Sequence, residues 1–135
     1  MSRAEFPGDA RYTPEHEWAR LEGTDLVRVG ITYYAQDSLG DVVYVELPDP
    51  GTRVTQEAPF GEIQSPKAVS DLFAPITGEI VERNEDVVAA PELVNEDPYG
   101  EGWLVAIRAD DPTELDGLLN AKAYEELVES LVDEG

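Results

Sequence analysis

The chain has no cysteine, one histidine, one methionine and two lysines among 135 residues. Without cysteine there are no disulfides and no protein thiol, so any redox chemistry has to come from an attached group. His16 is the only histidine, and no nucleophile elbow or equivalent accompanies it. A lone histidine at a strand start is more often structural than catalytic. There is no metal motif, since the acidic pairs are scattered and form no EF-hand loop. No Gly-rich phosphate loop is present; the closest stretch, Pro98–Gly102, has turn chemistry and lacks the lysine such a loop needs. An independent enzyme is therefore not expected. No apolar run approaches the length of a membrane span. Residues 1–8 lack the apolar region of a secretory signal and are too short and acidic for a transit peptide, so the cytoplasm of a prokaryote is the simplest expectation.

What the chain has in excess is negative charge. Thirty Asp and Glu face nine Lys and Arg, giving a formal net charge of −21. Such a surface repels phosphate backbones and anionic membranes, which excludes nucleic acid and membrane as expected partners. Partners are expected to present basic patches, unless the acidity serves only solubility or a saline habitat. A chain of this length is one domain with room for a core.

Along the chain, residues 1–11 read as a flexible tail, with Pro7, Gly8 and little apolar content. Residues 16–21 and 26–31 flank a Glu-Gly-Thr-Asp turn and predict a hairpin. Thr32 is placed to cap a short helix ending at Gly40. Residues 41–47, 78–83 and 103–108 read as strands, and 91–96 as one helical turn. From Asp111 the period changes: Asp111, Pro112 and Glu114 combine an N-cap, a proline at the first helical position and a capping-box glutamate. Asn120 can cap a second helix whose apolar stripe is Tyr124, Leu127, Val128, Leu131 and Val132. Strands first and helices last predict a mainly β fold: a flattened barrel or sandwich with short helices and a C-terminal helix, over residues 12–135.

Lys67 stands out in this scheme. Residues 60–65 and 68–73 are two short apolar runs around Ser65-Pro66-Lys67-Ala68. Pro66 suits the second position of a type I turn and Ser65 the first, which leaves Lys67 at the most projecting place. Gly40-Asp-Val-Val-Tyr-Val and Gly78-Glu-Ile-Val-Glu-Arg look like copies of one element on either side of this hairpin. An apical lysine between duplicated strands is the arrangement of biotinyl and lipoyl carrier domains. An ordinary solvated lysine is the competing reading. A biotin carrier normally has methionines on both sides of its lysine, and the only methionine here is Met1.

The ordered blocks His16-Glu-Trp18, Val29-Gly-Ile-Thr32, Leu39-Gly-Asp-Val-Val43, Lys67-Ala-Val-Ser-Asp71, Ala74-Pro75, Leu93-Val-Asn95, Asp97-Pro-Tyr-Gly100 and Gly102-Trp103-Leu104 resemble the H protein family of the glycine cleavage system. The resemblance covers residues 12 to about 125. It implies lipoate in amide linkage to Lys67. It also implies a shuttle: an aminomethyl group taken from the pyridoxal-phosphate glycine decarboxylase, delivered to an aminomethyltransferase, and electrons passed to dihydrolipoamide dehydrogenase. A lipoate-attaching enzyme has to read the hairpin. The family's cleft carboxylates, which would face the charged amine of the loaded arm, fall on Glu17 and Asp71. Three departures stand out: Gln64 replaces the usual glutamate, Pro66 precedes the lysine, and Tyr34 stands where many relatives have a smaller or imidazole side chain. The alternative is an H-like protein that serves as a lipoate relay or a non-catalytic binding module.

Overall fold

A computed structural model describes residues 6–134, and for the last two of these the backbone only. Among the described residues nine strands form two antiparallel sheets. The larger has the order β1-β2-β3-β9-β8-β5, built from β1 (Arg11–Tyr12), β2 (Glu17–Glu22), β3 (Leu26–Ile31), β5 (Arg53–Val54), β8 (Gly78–Arg83) and β9 (Val105–Ala109). The smaller has the order β4-β6-β7, built from β4 (Tyr44–Glu46), β6 (Pro59–Ser65) and β7 (Ala68–Phe73). Helices α1 (Tyr33–Leu39), α2 (Glu85–Ala89) and α3 (Leu93–Glu96) lie between strands. A 3-10 turn (Pro112–Gly117) and helix α4 (Ala121–Glu134) end the chain.

Period-two alternation sorts the side chains of β3. Val27, Val29 and Ile31 face the main core with Ile63, Leu72, Ile76, Ile80 and Ile107. The opposite face of the large sheet carries a second core. Tyr12 pairs with Trp18 and Trp18 with Gly30, so these residues share that face. Helix α4 covers them: the Tyr124 ring stacks on Tyr12 at 4.7 Å between centroids. The Trp18 indole N–H donates to the Pro98 carbonyl at 2.9 Å.

Several expected elements take a different form. The tail expected over residues 1–11 is packed from Phe6 onward: the Phe6 ring meets Tyr124 edge-on, Ala10 is buried, and the Tyr12 hydroxyl donates to the Pro7 carbonyl at 2.7 Å. Residues 1–5 of that expectation lie outside the described residues. The strand expected over 41–47 shrinks to Tyr44–Glu46 because residues 40–42 are held by Asn95 instead of a ladder. The two look-alike segments enter different sheets, and Val54 is in a strand whereas Val87 is in helix α2. Asn84 makes that helix by capping it, accepting from the Asp86 N–H.

At the C-terminus, Asp111 caps as expected, accepting from the Thr113 N–H at 3.1 Å, but the segment is a 3-10 turn. Glu114 does not close a capping box; it accepts from the Thr77 N–H at 2.9 Å and ties the turn to the sheet. Asn120 caps α4 through the Ala123 N–H at 2.8 Å. In the α4 stripe, Tyr124 and Val128 are buried whereas Val132 is 61% exposed, so the buried face is narrower than its sequence pattern.

Candidate functional site

The β6–β7 hairpin closes with Ser65 paired to Ala68, leaving Pro66 and Lys67 as a two-residue loop. Neither loop residue takes positive φ, as the proline requires. The Ser65 hydroxyl oxygen accepts from the Lys67 N–H at 3.3 Å. The expected turn is therefore formed, with Lys67 exposed at its apex. Among the described residues Lys67 has no ion-pair partner, whereas Lys122, the other lysine, pairs with Glu126 along α4.

The lysine stem rests beside the end of α1. Its Cε lies 3.6 Å from where a Cβ on Gly40 would be, and Gly40 itself has φ +83. Asn95 holds this support in place. Its side-chain amide donates to the Gly40 carbonyl at 2.8 Å and to Gln36 Oε1 at 3.0 Å, and its oxygen accepts from the Val42 N–H at 2.8 Å. Sequence reasoning placed Asn95 in a matching block but gave it no role. Its signal is non-local, since its partners lie more than 50 residues away.

Glu17 and Asp71 differ in exposure. Asp71 is exposed on the outer face of the small sheet, in register with Glu62 and, one strand further, Glu46. These three carboxylates border a groove of about 320 Å³ with Leu47, Pro48 and Phe60. Glu17 is only 1% exposed. Its carboxylate accepts from the Thr13 hydroxyl at 2.5 Å and from the Phe73 N–H at 3.1 Å. Both of those partners line a second cleft of about 250 Å³, beside Gln56, Glu57 and Pro75. Glu17, expected as an arm-cleft carboxylate, lies beneath this cleft with both oxygens engaged, because strand β2 turns it inward to bind backbone of β7. Tyr34 lines neither cleft. Its ring lies 4.8 Å from that of His16, and it packs on the second core.

Burial sets the protonation of this region. It pushes the Glu17 carboxyl up from its ordinary 4.5 to about 7, against the opposing pull of its hydrogen bonds to Thr13 and Phe73. Burial also lowers the His16 imidazole, whose Nδ1 lies 2.9 Å from the Tyr124 hydroxyl; that hydroxyl is 2.7 Å from Thr32 Oγ1. His16 is thereby a structural residue joining β2 to α4. Its backbone takes φ +79 at the turn into β2.

The Glu17 shift has a direct consequence for stability. Below pH about 4.5 both folded and unfolded chains hold this proton, and between about 4.5 and 7 only the folded chain does. Above 7 the fold has to bury a carboxylate. The contribution is complete below the unfolded value and is lost as pH rises through the folded one. Glu17→Gln keeps the shape and mimics the protonated form. We expect it to unfold like the parent at pH 4 and to be more stable at pH 8, by up to about 3 kcal/mol. Urea titrations at the two pH values check this; an equal difference at both would mean that Glu17 does not titrate between them.

Comparison with known proteins places this geometry. The family model described as glycine cleavage H-protein matches residues 10–131. The chain is 54% identical over 125 residues to the glycine cleavage system H protein of Myxococcus xanthus (strain DK1622), covering 93% of this chain and 96% of that protein. It is 50% identical over 132 residues to that of Halorhodospira halophila (strain DSM 244 / SL1), covering 98% and 99%. The crystal structure of a glycine cleavage system H protein from Mycobacterium marinum superposes with a TM-score of 0.80 at 41% identity, over 89% of this chain and 96% of that one.

Proposed function

The chain belongs to the glycine cleavage H-protein family, the lipoyl carriers of that system, and we propose that Lys67 is the residue that bears the lipoyl group. One observation carries this reading: in a chain matched by the family from residue 10 to 131, the Lys67 amine stands alone at the apex of a stiff two-residue hairpin. When bound, the lipoyl group supplies a disulfide/dithiol couple that the cysteine-free chain lacks.

The chain's own residues do the positioning. Pro66 and the Ser65 hydroxyl hold the loop, and Gly40 leaves room for the lysine stem. Asn95 fixes the loop beneath it. Asp71, four residues further along β7, is the exposed carboxylate available to a cationic amine on the arm. Glu17 acts from below, through Thr13 and the Phe73 backbone, as a positioning residue. No group of three His, Cys, Asp or Glu among the described residues could hold a metal ion. Among the same residues, no helix is long and apolar enough to cross a membrane.

The proposed partners are the glycine decarboxylase, the aminomethyltransferase, dihydrolipoamide dehydrogenase and a lipoate-attaching enzyme. Intact mass of the native protein tests the reading: we expect an increase equal to one lipoyl group, mapped to Lys67, with Lys122 unmodified. An unmodified chain from lipoate-supplied cells would overturn it.

At net charge −21, binding to the decarboxylase is expected to rest partly on a basic partner surface. Its affinity is then expected to fall steadily from about 0.05 to 0.5 M salt as the screening length shortens. Titration calorimetry across that range checks it, and a flat response would assign the acidity to solubility or habitat.

A further inference from the structure

The outer face of the small sheet changes character in steps away from the lysine. The first row behind the tip is Tyr44–Gln64–Val69, in register across β4, β6 and β7. It has no charge. Tyr44 is 48% and Val69 62% exposed. Two residues further, the next row on the same face is Glu46–Glu62–Asp71, all acidic. The inward row between them, Val45–Ile63–Ser70, begins with two buried core residues, so the alternation is that of a sheet with one wet face. Of the six large hydrophobic residues that stand exposed among the described residues, two (Tyr44 and Val69) share this row, on a chain that is otherwise strongly acidic.

A step along a strand is about 3.4 Å, so the uncharged row lies about 7 Å from the hairpin tip and the acidic row about 14 Å from it. That distinction separates two kinds of partner. An enzyme that works on the end of a long arm can dock far from the lysine. An enzyme that modifies the bare amine has to draw the tip itself into its active site. Its contacts then fall on the rows directly behind the tip. Resting on the reading of Lys67 as the lipoylated residue, we propose that Tyr44 and Val69 form the contact surface for the lipoate-attaching enzyme. They meet an apolar rim at the mouth of its active site, and Glu46, Glu62 and Asp71 meet basic residues around that rim. Gln64, at the centre of the row, keeps it free of charge; its amide donates to Glu62 Oε1 at 3.1 Å. In the step this docking serves, the deprotonated Lys67 Nζ attacks the acyl carbon of enzyme-held lipoyl adenylate. The amide bond forms, the acyl–phosphate bond breaks with release of adenosine monophosphate, and the amine proton passes to the enzyme.

The test uses unmodified full-length protein, a lipoate–protein ligase, lipoate and ATP, with the rate of mass increase followed against protein concentration. Tyr44→Ala and Val69→Asp are expected to raise KM for the carrier about tenfold each with kcat little changed, because they alter docking and not the amine. Leu21→Ala removes an exposed apolar residue on the large sheet and is expected to leave both constants unchanged. Thermal unfolding of all three verifies that the fold persists. Unchanged KM in both hairpin-sheet variants overturns the proposal, as does a loss of binding to the decarboxylase with unchanged transfer, which would assign this face to that enzyme. If the parent protein gains no mass at Lys67, the carrier reading itself fails; if the parent is loaded normally and the variants equally well, only the docking surface fails.

Discussion

Lys67→Arg is expected to yield a folded protein that gains no lipoyl group and supports no one-carbon transfer from glycine. Arginine keeps the positive charge and similar length, so the exposed apex sees little change. Its guanidinium stays protonated throughout the accessible pH range and offers no neutral amine for amide formation. The loss is therefore complete and not graded. The hairpin survives because its turn depends on Pro66 and on the Ser65 hydroxyl bound to the backbone N–H of residue 67, neither of which involves the lysine side chain. Intact mass, far-ultraviolet dichroism and turnover in a reconstituted glycine cleavage system together check this. Residual turnover at more than background would place the arm elsewhere in the chain.

The largest expected effect on stability is at Trp18. Its ring is wholly buried, its N–H is satisfied by the Pro98 carbonyl, and it covers Gly30 on the neighbouring strand. Trp18→Ala opens a large cavity in the second core and leaves the carbonyl unpaired, at about 4 kcal/mol. That is a large share of the roughly 5–15 kcal/mol that holds a domain of this kind folded. Gly30→Ala is expected to be severe by the opposite route, since its new Cβ would lie 2.7 Å from the indole. The double variant distinguishes this contact from two independent injuries. With the ring gone the methyl group has space, so the pair is expected to cost little more than Trp18→Ala alone. Urea unfolding of the four proteins gives the coupling directly. Additive losses would mean that Gly30 is required for a reason other than the indole.

The two predictions sit at opposite ends of what the sequence makes legible. The Lys67 hairpin could be read directly, because its determinants are contiguous: a proline with fixed φ, a serine before it, and apolar runs on both sides. The Thr32 and Asn120 caps were legible for the same reason, since a cap bonds a backbone N–H three residues away. The mainly β fold with a C-terminal helix also followed from local periodicity and from the ordered blocks shared with the glycine cleavage H-proteins.

What escaped such reading depends on residues distant in the chain. Phe6 and Ala10 look like tail until α4 arrives from the far end to cover them. Glu114 has the spacing of a capping box but meets the Thr77 N–H of another segment first. Glu17 and Asp71 are equivalent as letters, two carboxylates in matching blocks, yet one is sealed under a cleft and the other faces solvent. The sequence by itself determined the hairpin turn and the lysine at its apex, because those rest on bond geometry within four residues. Only the tertiary structure decided which of the two carboxylates is buried and which row of the hairpin sheet is uncharged, because burial and strand register are set by what packs across the sheets.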